Sequence, residues 1–135
     1  MKSYELESKN AANDTAATLK RWLENRNAGK TFVDYFHEYG CSTIAVFDAG
    51  ELGRLLYEEL KDSDIKIRYF IDKNAEGINC IDNIPVVMVK SIADMPEVDL
   101  VVVSPVYNYE EVLRLFMEIN SEIRSISFKE AVYEF

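Results

Sequence analysis

The strongest constraint on the fold is the alternation, from Thr43 onward, of short apolar runs with amphipathic segments. Thr43–Phe47 and Leu100–Val103 are almost continuously apolar, as strands buried on both faces are. Three further strands are predicted at Ile65–Ile71, Pro85–Val89 and Ile123–Phe128. Strands that alternate with helices favour a parallel sheet covered on both faces. We therefore predict an α/β, Rossmann-like three-layer sandwich whose five-stranded parallel sheet has the order 3-2-1-4-5.

Residues 1–40 lack this alternation and are predicted to form an N-terminal helical pair, with the α/β domain at residues 41–135. Asp14 or Thr15 can cap the first helix, and Ala28-Gly29 stops it. Thr31-x-x-Asp34 has the pattern of a capping box that opens a second helix ended by Gly40. The predicted apolar positions of the pair are Leu19, Trp22, Leu23, Phe32, Val33 and Phe36.

These helices carry more apolar side chains than a five-stranded core needs. They must bury these side chains against the following domain or against a second subunit. We expect Trp22, Phe32 and Phe36 to be partly exposed in a single copy, and part of this surface to form a homodimer contact.

Charge and composition restrict the partners of the chain. A net charge of −9 argues against nucleic acid, because phosphate backbones are held by dense Lys and Arg patches. Cys41 and Cys80 lie far apart and the chain has one histidine, so we predict no metal site and two reduced thiols. The polar N-terminus and the lack of an apolar run of about 20 residues predict a cytoplasmic protein without membrane insertion.

The turn after the first strand is Asp48-Ala49-Gly50-Glu51-Leu52-Gly53, and Asp72 closes the second strand. This spacing is similar to the dinucleotide fingerprint GxGxxG with an acidic residue about 20 positions later. In that pattern Gly50 lets the backbone approach a pyrophosphate, Gly53 packs helix against sheet, and Asp72 accepts from ribose hydroxyls. The following helix N-terminus favours an anion. The alternative is that both glycines serve only turn geometry and packing.

Asp48 occupies the position of the first fingerprint glycine. Asp tolerates unusual dihedral angles better than most residues. Its carboxylate would nevertheless lie near a bound pyrophosphate, and such a contact costs about 1–4 kcal/mol at surface-like dielectric. Arg54 could offset part of this cost or could simply be a solvated surface arginine.

Ser104-Pro105-Val106-Tyr107-Asn108 follows the fourth strand and should face the glycine turn across the switch point, where open α/β sheets bind ligands. Ser104, Tyr107 and Asn108 could supply hydrogen bonds or a stacking face to a ligand. Alternatively, Tyr107 packs, Pro105 ends the strand and Asn108 caps the next helix.

Other combinations suggest catalysis only weakly. Tyr57-x-x-x-Lys61 and Tyr69-x-x-x-Lys73 have the spacing of the short-chain dehydrogenase pair, but neither lies on a helix after the fourth strand. His37 precedes the α/β domain and is interpreted as a surface or interface residue. We therefore predict no catalytic residues.

Three stretches, Ile44–Gly53, Tyr69–Asn74 and Ile84–Val87, resemble nucleotide-binding domains of bacterial polysaccharide synthesis. The likeness covers residues 43–128 and concerns the N-terminal domains of nucleotide-sugar acyltransferases and of nucleotide-sugar dehydratases and epimerases. In the acyltransferases such a domain holds the nucleotide of the sugar donor, and in the others it holds NAD. The resemblance implies that Gly50, Gly53 and Asp72 lie in a ligand cleft.

The leading hypothesis is a module that binds NAD or a nucleotide-sugar and assists surface-polysaccharide synthesis without a catalytic set of its own. One alternative is an oxidoreductase or epimerase that modifies a nucleotide-sugar, or part of such an enzyme. Another is a degenerate Rossmann domain that serves protein–protein association. The predicted ligand-binding residues are Asp48, Ala49, Gly50, Glu51, Leu52, Gly53, Asp72, Lys73, Ser104 and Tyr107.

Overall fold

The computed structural model describes residues 3–104, 109–120 and 122–135, with side chains described from residue 13 onward. The helices are α1 (Ser3–Asn27), α2 (Phe32–Glu38), α3 (Glu51–Leu60), α4 (Ala75–Ile78), α5 (Tyr109–Ile119) and α6 (Phe128–Glu134), with a 3₁₀ helix at Val89–Asp94. The strands are β1 (Thr43–Phe47), β2 (Lys66–Ile71), β3 (Cys80–Ile81), β4 (Ile84–Val87), β5 (Leu100–Val103) and β6 (Ser125–Ser127).

The protein has a mixed α/β architecture with a six-stranded, mostly parallel sheet in the order β3-β4-β2-β1-β5-β6. The prediction of a five-stranded, wholly parallel sheet is wrong, because β3 adds an antiparallel edge strand beside β4. The five predicted strands correspond to β1, β2, β4, β5 and β6, and within the six-stranded sheet they lie in the predicted order 3-2-1-4-5. Asp82 and Asn83 join the two strands and have positive φ angles of 46° and 72°. Asp and Asn adopt this left-handed backbone more readily than other non-glycine residues, and it suits a two-residue hairpin.

Helices cover both faces of the sheet. Ile44 and Val46 of β1 point into a core that includes apolar residues of α1, α2, α3 and α6. Ala45 and Phe47, which alternate with them, point into a second core with Ile92 of the 3₁₀ helix and residues of α5. This alternation follows from the two-residue period of a strand. None of the described helices is both long and apolar enough to cross a bilayer.

The N-terminal helices pack on the sheet's own core. Trp22 is 5% exposed, and Phe32 and Phe36 are fully buried, so the expectation that they are exposed is wrong. Trp22 and Phe32 both pack on Phe128 of α6, with ring centroids 5.0 and 5.2 Å away. These three residues do not support a homodimer contact, because other residues of the same chain bury them. The homodimer itself stays a prediction.

The two N-terminal helices differ in how closely their predicted starts match the structure. Helix α1 begins at Ser3, well before the predicted cap at Asp14 or Thr15, and Leu23 is 60% exposed rather than part of its buried stripe. Thr31 caps α2 as predicted, because its hydroxyl accepts from the Asp34 amide at 3.3 Å. Many polar residues have a favourable helix propensity, so a helix can extend through a polar segment. A residue that could cap a helix therefore does not by itself mark where α1 begins.

The carboxylate of Glu59 on α3 joins the first three helices. It accepts from the Trp22 indole N–H at 3.1 Å and from the Phe32 backbone amide at 2.8 Å. The Arg26 guanidinium lies 3.2 Å from the same carboxylate, whose side chain is only 4% exposed. Phe32 begins α2, so Glu59 satisfies an amide that has no acceptor within its own helix. This contact fixes α1 and α2 against α3.

Candidate functional site

The candidate site lies at the carboxyl edge of the parallel strands. The turn Asp48–Gly50 connects β1 to α3. β2 and β4 lie on one side of β1, while β5 and β6 lie on the other, so the order of strand addition reverses between β1 and β5. Asp72 follows β2 and Ser104 follows β5, which places both at the same edge as the turn. Ligands of open α/β sheets bind at such a reversal.

Both glycines of the turn have a structural explanation. A Cβ at Gly53 would overlap the Asp48 carbonyl oxygen and lie 3.3 Å from Val46 Cγ1. Gly53 therefore permits the close packing of α3 on β1. A Cβ at Gly50 would lie 2.9 Å from Asp48 Oδ1, the end of a side chain that can move. Glycine is consequently required more strictly at position 53 than at position 50.

Asp48 adopts the backbone conformation that the fingerprint glycine would supply. Its φ is 92°, and its Oδ1 accepts a hydrogen bond from the Gly50 amide at 2.9 Å. Burial raises the pKa of the Asp48 carboxyl; the bond from Gly50 opposes this shift, and the neighbouring Asp72 carboxylate adds to it. Asp48 thus holds the turn through its side chain, at the cost of a partly buried negative charge.

Asp72 connects the end of β2 to the same turn. Its Oδ2 accepts from the Ala49 amide at 2.8 Å, and its Oδ1 accepts from the Asn74 amide at 2.8 Å. The sequence predicted Asp72 as a ligand for ribose, but its two carboxylate oxygens already accept from backbone amides. Each oxygen has a second lone pair, so a ribose hydroxyl could still donate to it.

The two carboxylates accept from the amides that the fingerprint would assign to an anion. The amides of Ala49 and Gly50, which would face a pyrophosphate, donate to Asp72 and Asp48 respectively. The amides of Glu51, Leu52 and Gly53 in the first turn of α3 have no acceptor within the helix. The N-cap residue is Gly50, which has no side chain that could cap them. A ligand phosphate would therefore meet these helix amides rather than the turn itself.

The remaining predicted residues contribute unequally. Arg54 Nε donates to the Ala49 carbonyl oxygen at 3.0 Å, so this exposed arginine folds back on the turn. Leu52 is buried in the core, whereas Glu51 and Lys73 are exposed at the edge. Leu52 can thus offer a ligand only its backbone amide.

Ser104 is fully buried at the end of β5. Its amide donates to the Phe47 carbonyl oxygen at 3.0 Å and so extends the ladder between β1 and β5. Its hydroxyl has no hydrogen-bond partner among the described residues. Tyr107, predicted as a ligand contact, lies outside the described residues, as do Pro105 and Asn108.

Three of the residues considered for catalysis have other partners. The Tyr57 hydroxyl donates to Asp82 at 3.0 Å, and Lys61 pairs with Glu58 at 2.7 Å. His37 lies 2.7 Å from the exposed Asp64 carboxylate, which has a pKa below its usual range because of the hydrogen bond to that histidine.

The two cysteines are free thiols. Cys41 is buried, and this burial raises its pKa, whereas Cys80 is exposed.

Three cavities in the described part of the protein lie away from the turn. The largest, about 570 Å³, is lined by residues of α2 and by Glu134 and Phe135. A second of about 380 Å³ lies where β5 and β6 begin, and a third of about 250 Å³ runs along the end of α3. The described residues contain no group of three or more metal-ligating side chains placed to hold an ion.

Sequence reasoning missed the Glu59 carboxylate, which has no local sequence signal because its role is defined by neighbours on other elements. In comparisons with family models, curated proteins and solved structures, nothing matches this chain. The resemblance to polysaccharide-synthesis domains therefore rests on its short motifs alone.

Proposed function

We propose that this chain is a Rossmann-like module that binds a nucleotide, NAD or a nucleotide-sugar, at the carboxyl edge of its parallel strands. The observation that carries the proposal is the glycine turn bonded to Asp72. This turn connects β1 to α3 at the position where the strand order reverses. The first turn of α3 has no side-chain cap, so its amides can donate to a ligand. Backbone amides at a helix N-terminus favour a phosphate through hydrogen bonding and the helix dipole.

The internal carboxylates modify how a nucleotide would bind. Because Asp48 and Asp72 already accept from the turn amides, the phosphate is assigned to the amides of residues 51–53. Arg54 lies beside the turn and can offset part of the negative charge. Asp72 stays available to a ribose hydroxyl through its remaining lone pairs. The expected affinity is lower than that of a site with glycine at position 48, since two anions lie close together.

A role beside surface-polysaccharide synthesis is part of the same proposal. It is supported by the similarity of Ile44–Gly53, Tyr69–Asn74 and Ile84–Val87 to domains that hold nucleotide-sugars or NAD. In this role the chain supplies binding, and a partner protein supplies the reaction.

A second candidate is a domain that associates with another protein and no longer binds a nucleotide. One observation favours it: the amides of Ala49 and Gly50 already donate to the chain's own carboxylates, Asp72 and Asp48. Such a turn is stable without a ligand, as a domain kept for association requires.

A thermal-shift screen against NAD, NADP, UDP, a UDP-sugar and CoA separates the two candidates. A ligand at 100 times its Kd adds about 2.7 kcal/mol to the free energy of unfolding. For a domain of this size the Tm should rise by roughly 5–15 °C. Asp48→Asn should enlarge the shift because it removes one anion, whereas Lys61→Gln at the far end of α3 should leave it unchanged. If no nucleotide raises the Tm of either variant or of the unmodified protein, the association role is favoured.

A further inference from the structure

The Ser104 hydroxyl is a buried polar group at the carboxyl edge that the fold does not account for. Ser104 is fully buried, and its Oγ has no hydrogen-bond partner among the residues that the structure describes. Burying a hydroxyl without a partner lowers the stability of a folded protein. Alanine would avoid this cost, so folding itself gives no reason for a hydroxyl at this position.

The Ser104 side chain lies on the face of the sheet that α3 covers. Its amide donates to the Phe47 carbonyl oxygen at 3.0 Å, so the pairing of β1 with β5 continues one residue past Val103. Side chains of a strand alternate between the two faces, and Ser104 therefore shares a face with Val102. Val102 belongs to the core that also contains Leu52 of α3. The hydroxyl is thus directed to the side of the sheet on which α3 begins.

Three groups follow one another across the carboxyl edge in the order of the strands. Asp72 follows β2, and α3 begins after β1 and packs closely on it at Gly53. Ser104 follows β5, which pairs with β1 on the side away from β2. Neighbouring strands are about 4.8 Å apart. A ligand whose ribose meets Asp72 and whose diphosphate meets the amides of residues 51–53 therefore brings its next group to Ser104.

The charges near this position favour a next group without a negative charge. Asp48 and Ser104 each come one residue after the last register pair of β1 and β5, so they are neighbours across the edge. The Asp48 carboxylate is held by the Gly50 amide at 2.9 Å, and Asp72 lies on its other side. A further phosphate here would add repulsion to that of the diphosphate. A sugar hydroxyl is uncharged and can both donate to and accept from a serine hydroxyl.

We propose that Ser104 hydrogen-bonds a hydroxyl of the sugar that the ligand carries beyond its diphosphate. This inference rests on the proposed function and narrows the ligand to a nucleoside diphosphate with a sugar attached, as in a nucleotide-sugar or NAD, rather than a free nucleotide. Ser104 is covered in the unliganded protein, so the groups around it must move when the sugar binds. This movement lowers the apparent affinity without changing which ligand is preferred.

The test compares each diphosphate with its sugar-bearing counterpart in calorimetric titrations of the full chain: UDP with UDP-glucose, and ADP with NAD. Ser104→Ala should weaken UDP-glucose or NAD about threefold to tenfold, because one net hydrogen bond is lost. It should leave the affinity for UDP or ADP unchanged, since neither carries the sugar that meets Ser104. Ser104→Cys keeps a side chain of similar size with a weak donor, and it should also weaken the sugar-bearing ligands selectively.

Thermal denaturation without a ligand tests the premise that the hydroxyl is unsatisfied. Ser104→Ala should leave the Tm unchanged or raise it by up to about 5 °C. Ser42→Ala is the matched control, because the exposed Ser42 precedes β1 and so lies at the opposite edge of the sheet. It should leave the affinities for all four probes unchanged.

The outcomes separate this inference from the proposed function. If none of the four probes binds the unmodified protein, both are overturned. If UDP-glucose or NAD binds and Ser104→Ala either leaves its affinity unchanged or weakens UDP or ADP equally, only the role of Ser104 is overturned. Binding of UDP or ADP without its sugar-bearing counterpart has the same consequence. A clear fall in the Tm of Ser104→Ala also overturns this role, because the hydroxyl would then have a partner within the fold.

Discussion

Replacing Asp48 with Asn isolates the electrostatic cost of the glycine turn. Asn retains a side-chain oxygen that can accept from the Gly50 amide, and it tolerates the φ of 92° that Asp48 adopts. The substitution therefore removes the negative charge with little change in the turn. The charge being removed is partly buried and lies near the Asp72 carboxylate.

The magnitude follows from two opposing effects. Relief of repulsion between two carboxylates a few ångströms apart is worth about 1–4 kcal/mol at surface-like dielectric. Partial solvent exposure screens this repulsion, and the hydrogen bond from Gly50 becomes neutral and weaker, which costs about 1 kcal/mol. We expect Asp48→Asn to stabilise the protein by about 0.5–2 kcal/mol at pH 7.

The pH dependence of the free energy of unfolding gives an independent test of the sign of this effect. Burial raises the pKa of Asp48 in the folded state, so the protonated carboxyl is favoured by folding. Its contribution to stability is fully present below the unfolded pKa of about 3.9 and is lost as pH rises through the folded pKa. The advantage of Asp48→Asn should accordingly be largest at neutral pH and should shrink towards pH 4 and below.

Urea denaturation of both proteins between pH 3.5 and pH 7 measures this difference, because ΔG is obtained at each pH by linear extrapolation. Asp62→Asn, which removes an exposed carboxylate beyond the end of α3, is the control and should change ΔG by less than about 0.5 kcal/mol. The reasoning would be refuted if Asp48→Asn destabilised the protein at pH 7, or if its advantage were equal at all pH values.

Gly53→Ala should destabilise the protein by about 2–4 kcal/mol, because its Cβ would overlap the Asp48 carbonyl oxygen and push α3 from the sheet. Gly50→Ala should cost clearly less, since the Asp48 side chain can move aside, and a reversed order in thermal denaturation would contradict the packing argument. Glu59→Leu should lower the free energy of unfolding by about 2–4 kcal/mol, as measured by urea denaturation, because the Trp22 indole N–H and the Phe32 amide lose their acceptor. Glu59→Gln keeps one acceptor oxygen and should lower it less. Asp48→Gly should tighten NAD or a nucleoside diphosphate about tenfold in calorimetric titration, and less at high salt, because it removes an anion and frees the Gly50 amide. An unchanged affinity at low salt would place the phosphates elsewhere.

The elements that local pattern specifies were predicted closely. The apolar runs Thr43–Phe47 and Leu100–Val103 are β1 and β5 at those same residues, and Thr31 caps α2. Each of these features is specified by a few neighbouring residues. A buried strand needs only a short apolar run, and the cap of α2 needs only a hydroxyl three residues before the amide that it accepts from. The positions of Asp48 and Asp72 at one edge also followed from the sequence, because each ends a predicted parallel strand.

The hairpin β3–β4 was missed although its turn residues, Asp82 and Asn83, are favourable for a left-handed turn. Its strands are short, and Cys80–Ile81 has too few residues to show a period. Leu23 was wrongly placed in the apolar stripe of α1, because helical spacing does not reveal which side of a helix meets the sheet.

The sequence by itself determined an alternating α/β chain and the edge at which its glycine turn lies, because burial imposes a local period on apolar residues. Only the tertiary structure decided what the polar groups do. Glu59 contacts Trp22 across 37 positions, and Asp72 contacts Ala49 across 23. Such pairs depend on how distant elements pack, so no local pattern records them. For the same reason the sequence could suggest an anion site at the turn, while the fold fills its amides with the chain's own carboxylates.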